Sequence, residues 1–394
     1  MFFQGDRTKG RLLLTDCSVA DVMNLRVLRG ADILIEDGII RKIGQSVAAD
    51  AKRISLGGKT LTPGMIDAHV HLCLSALPDC HLTLANLDAE QRTEIVRKNL
   101  RLNINAGITC VRDLGSPMEM LADLSALEYS REPFPSVMAS GPVLTTENGH
   151  ATFIGLTAGS ANSAGLIRAA ADRGAELVKI IGTGGNLSPS TDTRGCQYSD
   201  DDFSAIAAEA RRAGFHAACH AHASAAVDQC LRFGVRSVEH GSYMLDEQLP
   251  RFISEGAFWT PTICPGRLLD RLSEAARDRV TRRRNNIRLA IRLGVSIAAG
   301  TDAGIGGVPH GVLAHELDEF TDAGMTALQA LRSATQQNAA MMGIDAFKGS
   351  LEEGKDADIL VFDGDMESPG FSFHEPRVVI KAGTLVKGSF EQCL

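Results

Sequence analysis

Between residues 62 and 349 the chain repeats one pattern: a short apolar run ending in polar residues, then a longer stretch with helical periodicity. The apolar runs are MIDAHVHL (65–72), ITCVRDL (108–114), SVMASG (136–141), LVKII (177–181), HAACHAH (216–222), SVEHG (237–241), AFWTPT (257–262) and SIAAGTDAG (296–304). Between them lie amphipathic stretches such as AEQRTEIVRKNLRLNINAG, DDFSAIAAEARRAG, ASAAVDQCLRFG and TALQALRSATQQNAAMMG, several closing on the glycine that favours a helix C-terminus. Strands that alternate with helices build parallel sheets, because a parallel neighbour needs a long crossover. Eight such units over roughly 300 residues fit a (β/α)8 TIM barrel. Order along a chain does not reveal closure, so a doubly wound open sheet is the alternative.

The two ends have a different texture. Residues 11–60 read as short strands broken by turns, with Asp37-Gly38 as a hairpin signal, and ADILVFDGD (357–365) and RVVIKAGTLVKG (377–388) repeat that style. Each half leaves strand edges that the other can pair. The expected division is therefore a composite β-sandwich from 1–61 and 350–394, and a barrel from 62–349.

In a barrel of this type the active site gathers at the C-terminal strand ends, so polar residues there carry information. Strand one ends in His69 and His71, strand four carries Lys179, strand five ends in His220 and His222, strand six in Glu239 and His240, and strand eight in Thr301 and Asp302. Side chains two apart on a strand share a face, so His69 and His71 can bind one ion. A lone HxH pair is as easily two satisfied core residues. The same residue types recurring at five strand ends make a metal site the better reading. Lys179 stands among Leu177, Val178, Ile180 and Ile181, which predicts a strand covered on both faces.

The ordered motifs TPGMIDAHVHL, LVKIIGTGGNLSP, HAACHAH, SVEHG, AGTDAG and GKDADILVFDGD resemble the amidohydrolase superfamily, in particular its imidazolonepropionase-like and prolidase-like branch of metal-dependent dipeptidases. The resemblance runs from about residue 11 to 388. It implies a barrel with a β-sandwich built from both termini. It further implies two divalent metal ions, with His69 and His71 on the more buried ion and His220 and His240 on the more exposed one; the mixed histidine and carboxylate ligand set points to zinc first, with Mn, Co or Fe also fitting. Asp302 would ligate the buried ion and act as the catalytic base. Lys179 would be carboxylated to a bridging carbamate, which requires a neutral amine, and burial beside cations supplies one by lowering the lysine pKa. A metal-bridging hydroxide would then hydrolyse an amide, peptide or related C–N bond of a small molecule.

Three positions are expected at the substrate: His222, where relatives tend to carry Tyr in an HAY motif; His150, in the loop GPVLTTENGHA; and Tyr243, just past strand six. Two other functions compete. One is a mononuclear deaminase or imidazolonepropionase-like cyclic amide hydrolase, which would not need Lys179. The other is a non-catalytic barrel scaffold, which would tend to lose its ligands. The remaining histidines 81, 216, 310, 315 and 374 find no ligand slot, and GTGG (182–185) and GIGG (304–307) read as turns and not nucleotide loops. Trp259 is expected in the core or flanking substrate.

A net charge of −8 argues against a nucleic-acid partner. The one dense basic run, RRRNN (282–286), is expected to be a solvated helix face. Nine scattered cysteines without a CxxC pair point to a reducing cytoplasm. No apolar run is long enough to span a membrane, and MFFQGDRTKG lacks a signal-peptide core. A homo-oligomer is expected.

Overall fold

The computed structural model describes residues 10–128, 132–188, 190–269 and 272–390, and these contain one eight-stranded sheet and two smaller ones of six and three strands. Residues 1–9 and 391–394, assigned above to the terminal unit, lie outside the described residues.

The terminal segments share one eight-stranded sheet. From the N-terminal side come β1 (Arg11–Asp21), β2 (Arg26–Glu36), β3 (Ile39–Gly44), β4 (Lys52–Ser55) and β5 (Thr60–Pro63). The expected hairpin joins β2 to β3, with Asp37 and Gly38 at φ of 50° and 75°, both left-handed as a two-residue turn of this kind requires. The halves of the chain meet at β5, which runs parallel to β1 and antiparallel to residues 359–362 near the C-terminus. Ile33, Ile35, Ile40, Leu61, Ile359 and Val378 bury their side chains in one core on this sheet.

β5 runs directly into β6 (Met65–Val70) through Gly64, where a Cβ would fall 2.2 Å from Thr109 Oγ1. Only glycine lets the strand pass there. Parallel pairing then links β6, β7 (Ile108–Asp113) and β8 (Ser136–Ala139). A second set contains β9 (Val143–Thr145), β10 (Gly155–Thr157), β11 (Leu177–Ile181), β12 (His216–Ala221), β13 (Ser237–His240) and β14 (Phe258–Thr260), all parallel. Glu176 N donates to Ala139 O at 2.9 Å, which ties the two sets on one side. On the other side lies the run 296–304, expected to be the eighth strand. It forms isolated bridges at Ile297, with Trp259, and at Ala303, with Val70, supported by backbone bonds from Ala68 N to Ala299 O and from Asp302 N to His69 O. Its ladder is interrupted where Ala299 N donates to Ser333 O and Thr301 N to Asp67 Oδ1, and where Asp302 turns left-handed, at φ 62°.

The chain then closes the terminal sheet with β15 (Ile359–Phe362), β16 (Val378–Lys381) and β17 (Thr384–Lys387), the last two joined at Ala382 and Gly383, again both at positive φ. Below the strand ends, Ile66, Cys110, Met138, Leu177 and Ala218 fill the interior, with Met341, Met342 and Ile344 packed against them. The stretch 326–343, expected as one helix, is two, Ala327–Ser333 and Gln336–Met342. The break lets Ser333 O and Ala334 O accept from Ala299 N and Ile66 N, and Asn338 Nδ2 donates to Ile66 O and Ala299 O at 2.7 and 2.8 Å. No helix among the described residues is long and apolar enough to cross a membrane.

Candidate metal centre

The β6–β7 register slips by one residue, the three steps from Asp67 to Val70 facing the two from Val111 to Asp113. A bulge of this kind re-aims side chains. Ala68 packs downward with Ile66, while His69 and His71 both bring Nε2 to 3.3 Å from Asp302 Oδ1. Asp67 fixes the other side of this contact: it accepts from Thr301 N at 3.0 Å and from the Thr301 hydroxyl at 2.6 Å. His310 supports His71 from behind, with Nε2 donating to His71 O at 3.3 Å and Nδ1 accepting from Asn103. Ligand atoms of His69, His71 and Asp302 all lie within 4.8 Å of one another.

A second group of rings stands beside the first. His220 and His240 have centroids 4.6 Å apart, His222 lies 4.7 and 4.9 Å from them, and His240 is 5.2 Å from His69. His150 packs on His220 at 4.7 Å. Lys179, on β11, is 2% exposed, and its Nζ has no hydrogen-bond partner. These side chains and Asp302 line one cavity of about 480 Å³.

Hydrogen bonds to the far nitrogen of each ring fix which nitrogen keeps a lone pair. His69 Nδ1 donates to Glu239 Oε2 at 2.8 Å and His71 Nδ1 to Gly115 O at 3.3 Å, freeing both Nε2 atoms. His240 Nδ1 donates to Thr262 Oγ1 at 2.6 Å, whose own proton goes to Pro261 O, so Nε2 is again free. His220 is reversed. Its Nε2 donates to Gly184 O at 3.0 Å, leaving Nδ1 as the donor atom.

Burial holds His220, His222 and His240 well below the ordinary imidazole pKa, so the rings are neutral. Desolvation also lowers the Lys179 ammonium, against the pull of Glu239. For Asp302 burial pushes upward, but the imidazoles of His69, His71 and His240 hold the carboxyl well below its usual range. The set thus joins the neutral imidazoles of His220, His222 and His240 to the rings of His69 and His71, one carboxylate and an unpartnered amine facing a cavity, which fits divalent metal ions.

A profile of the amidohydrolase family matches residues 60–389. The chain belongs to the amidohydrolase family. Ochratoxinase from Aspergillus niger is 26% identical over 412 residues, covering 92% of this chain and 84% of the relative. A Xaa-Pro dipeptidase solved with methionine bound in its active site superposes with a TM-score of 0.86 at 26% identity, covering 96% of this chain and all of that one. The solved A. niger ochratoxinase has a TM-score of 0.85 at 22% identity over 97% of both chains, a likeness of fold. Amidohydrolases of this kind have a TIM-barrel type fold with mixed helix and strand content.

Within this family framework most of the expected residues converge. His69, His71, Lys179, His220, His240 and Asp302 meet at one mouth, and His150 and His222 line it. Tyr243 does not: among the described residues it is absent from the lining, and its ring lies under Arg194 at 4.2 Å and near Arg282 at 5.8 Å. Trp259 is fully buried, donating to His240 O at 3.1 Å, which makes it a prop for that histidine and not a substrate wall. His315 and His374, without a slot in the sequence, meet across Asp318 on the surface.

Two features escaped the sequence reading. Arg112 is buried on β7 and its guanidinium donates to Ala68 O (2.6 Å), Ser237 Oγ (2.9 Å) and Glu239 Oε1 (3.0 Å). Its signal was a charged residue inside an apolar strand. The expectation of a solvated face at 282–286 is corrected: Arg282 is exposed, but Arg283 and Asn286 are buried, as is Arg279 one turn earlier. Spacing at i, i+4 and i+7 is an inward stripe, which the intervening arginines obscured.

Proposed function

We propose that this amidohydrolase works with two divalent ions, zinc first, held by His69, His71 and Asp302 on one side and His220 and His240 on the other, with carboxylated Lys179 between them. The observation that carries this reading is the Lys179 amine, fully buried and without a partner at the centre of the donor set. An unpaired buried polar group is costly, by about 1–3 kcal/mol, unless the functional state gives it partners. A neutral amine is also the form that can add carbon dioxide.

The chain is a metal-dependent hydrolase of amide or peptide bonds, as its family and relatives are. When bound, the ions supply an activated water and polarise the carbonyl. Asp302 accepts the proton of the attacking water and returns it to the leaving nitrogen, since its carboxylate sits between His69 and His71 at the mouth. His150 is held neutral, its pKa lowered to about 4 by burial, and its Nδ1 has no partner, so it is available to hydrogen-bond substrate. His222, oriented by Ser242 at 2.8 Å, lines the same wall.

Around the site, the parallel strands form a closed (β/α)8 barrel over 62–349, and 1–61 with 350–394 form the β-sandwich unit. Eight described cysteines are free, seven of them buried, in keeping with a reducing, cytoplasmic setting, and a homo-oligomer is expected by sizing. The test is metal analysis of protein expressed with zinc and bicarbonate, alongside Lys179→Ala. Two ions per chain falling to one, with activity lost, supports the reading. One ion in both proteins with full activity retained would replace it with the mononuclear alternative.

A further inference from the structure

Helix Glu274–Leu293 turns Arg279 and Arg283 into the cavity, at 6% and 7% exposure. Arg283 Nη1 donates to Pro261 O (2.9 Å), Thr262 O (3.0 Å) and Thr262 Oγ1 (3.3 Å), while its Nε is buried with no partner. Arg279 makes one hydrogen bond among the described residues, from Nη2 to Asn186 Oδ1 at 2.5 Å. Among the described residues neither guanidinium has a carboxylate within 4.0 Å, whereas Arg282 and Arg284 on the same helix pair with Asp278 and Glu319. A buried cation without a contacting counter-ion is disfavoured: burial lowers the Arg283 guanidinium, Glu316 and Asp302 draw on it only from beyond contact distance, and the charge of Arg279 four residues away opposes it.

Their position relative to the mouth is defined. Thr262 Oγ1 accepts from both Arg283 and His240, so the pair stands one hydroxyl away from the proposed ligand set. The rest of the cavity is apolar, with Leu74, Phe153, Ile154, Leu187, Leu269 and Ile305 among its walls. Asp302 is the one acid among the described lining residues. A free α-ammonium would therefore meet guanidiniums and no carboxylate other than the one committed to the centre.

We propose that Arg279 and Arg283 anchor the carboxylate of the amine half of the substrate, and that the substrate class is N-acyl amino acids with a bulky apolar acyl group, in preference to dipeptides with a free amino terminus. This rests on the hydrolase reading above. The arginine fork matches a carboxylate in two parallel hydrogen bonds. The apolar walls take the acyl side chain. Asn186 holds Arg279 in place for this contact.

The experiment uses the metal-loaded enzyme and separates anchoring from turnover. N-(phenylmethanesulfonyl)-L-leucine, which has no amide carbonyl to cleave, and its carboxamide are titrated by calorimetry. The acid is expected to bind about 10- to 100-fold more tightly than the carboxamide, and Arg279→Met is expected to bring the ratio to about one. Arg279→Lys, which keeps the charge without the fork, serves if the methionine variant fails to fold, and is expected to give an intermediate ratio. In kinetics, N-phenylacetyl-L-leucine is expected to exceed both its carboxamide and the dipeptide Phe-Leu in kcat/KM, with Arg279→Met acting on KM. Equal binding of acid and carboxamide to wild type, or a ratio that survives the substitution, overturns the anchor. Phe-Leu cleaved as well as the N-acyl compound overturns the preference for a capped amine. Discrimination in binding without turnover of any amide leaves the anchor standing and refutes the hydrolase reading instead.

Discussion

Glu239 offers the sharpest test of how the protein orients its metal-facing histidines. Three donors converge on its two oxygens: His69 Nδ1 on Oε2 at 2.8 Å, and Arg112 Nη2 and the Ser237 hydroxyl on Oε1 at 3.0 and 2.6 Å. Glu239→Gln keeps the shape but replaces one oxygen by an NH2 group. If that group faces Arg112, two donors oppose each other and a guanidinium with 4% side-chain exposure loses its counter-ion. If it faces His69, the ring must accept at Nδ1 and carry its proton on Nε2, the atom pointing at Asp302. Either orientation removes the charge facing Arg112 and breaks a buried ion pair, worth about 3–5 kcal/mol of stability, and the first adds opposed donors. The second removes a ligand lone pair, with a loss of about 10–100-fold in metal affinity. Urea unfolding of the metal-free protein reads the loss of stability, and a competitive chelator titration reads the loss of affinity. A variant within about 1 kcal/mol of wild type that also binds metal with unchanged affinity would refute the claim that Glu239 sets the His69 tautomer.

Other expectations follow from buried charges elsewhere. Lys179→Ala should retain the fold, because it removes an unpartnered amine, and melt no lower than about 2 kcal/mol below wild type in the metal-free state, while losing one ion and nearly all turnover; circular dichroism melts with metal analysis check this. Asp358 is buried at the seam between the sheet and the barrel, accepting from Lys348 at 2.8 Å, Lys381 at 3.2 Å and Ala382 N at 2.8 Å. Burial pushes its carboxyl upward, but the two lysines overcome that and hold it below the usual range, so its stabilisation is present above the unfolded pKa and is lost as pH falls through the lower folded value. Asp358→Asn should cost about 3–5 kcal/mol at pH 7 and flatten the acid limb of the stability profile measured by urea titration. Glu316 shows the opposite sign: burial raises it from 4.5 to about 8 although Ile263 N and Cys264 N donate to it. Its contribution is full below pH 4.5 and is lost as pH rises toward 8, so Glu316→Gln should abolish a loss of about 2–4 kcal/mol between pH 5 and 9.

The strands were readable because burial on both faces leaves continuous apolar runs, and their polar ends stood out against that background. LVKII is the clearest case: all five residues are buried, and the lysine has no neighbour to pair with. The mouth was therefore legible as a gathering of side chains. What periodicity could not show was local departure from the ladder. Asp302 and His240 sit at positive φ, and the bulge before His69 inserts a residue, so each is aimed by a backbone irregularity that a two-residue period does not encode. Adjacency misled at Tyr243: Gly241 turns left-handed and Tyr243 N donates to His222 O, which carries the ring past the mouth toward Arg194. The 282–286 run misled for another reason, since composition averages over a helix while burial acts on one face of it.

The charges around the mouth also explain why the site needs support from so far below its surface. Arg112 and Glu239 neutralise each other at the level of His69, and Asp67 is drawn up to about 7 by burial despite its bonds to Thr301 and His69. That leaves Asp302 as the one carboxylate lining the cavity among the described residues, facing a wall that carries Lys179, Arg279 and Arg283. Without further anions, divalent ions would add to a surface already positive, and their binding would be opposed. Converting Lys179 from a potential cation to an anion reverses its contribution, and a substrate carboxylate between Arg279 and Arg283 offsets the far wall. The two proposals are therefore one electrostatic argument taken at two points: the lysine compensates the ions, and the substrate compensates the arginines. Each point can fail without the other, because the first is read by ions bound per chain and the second by the affinity ratio of an acid to its amide.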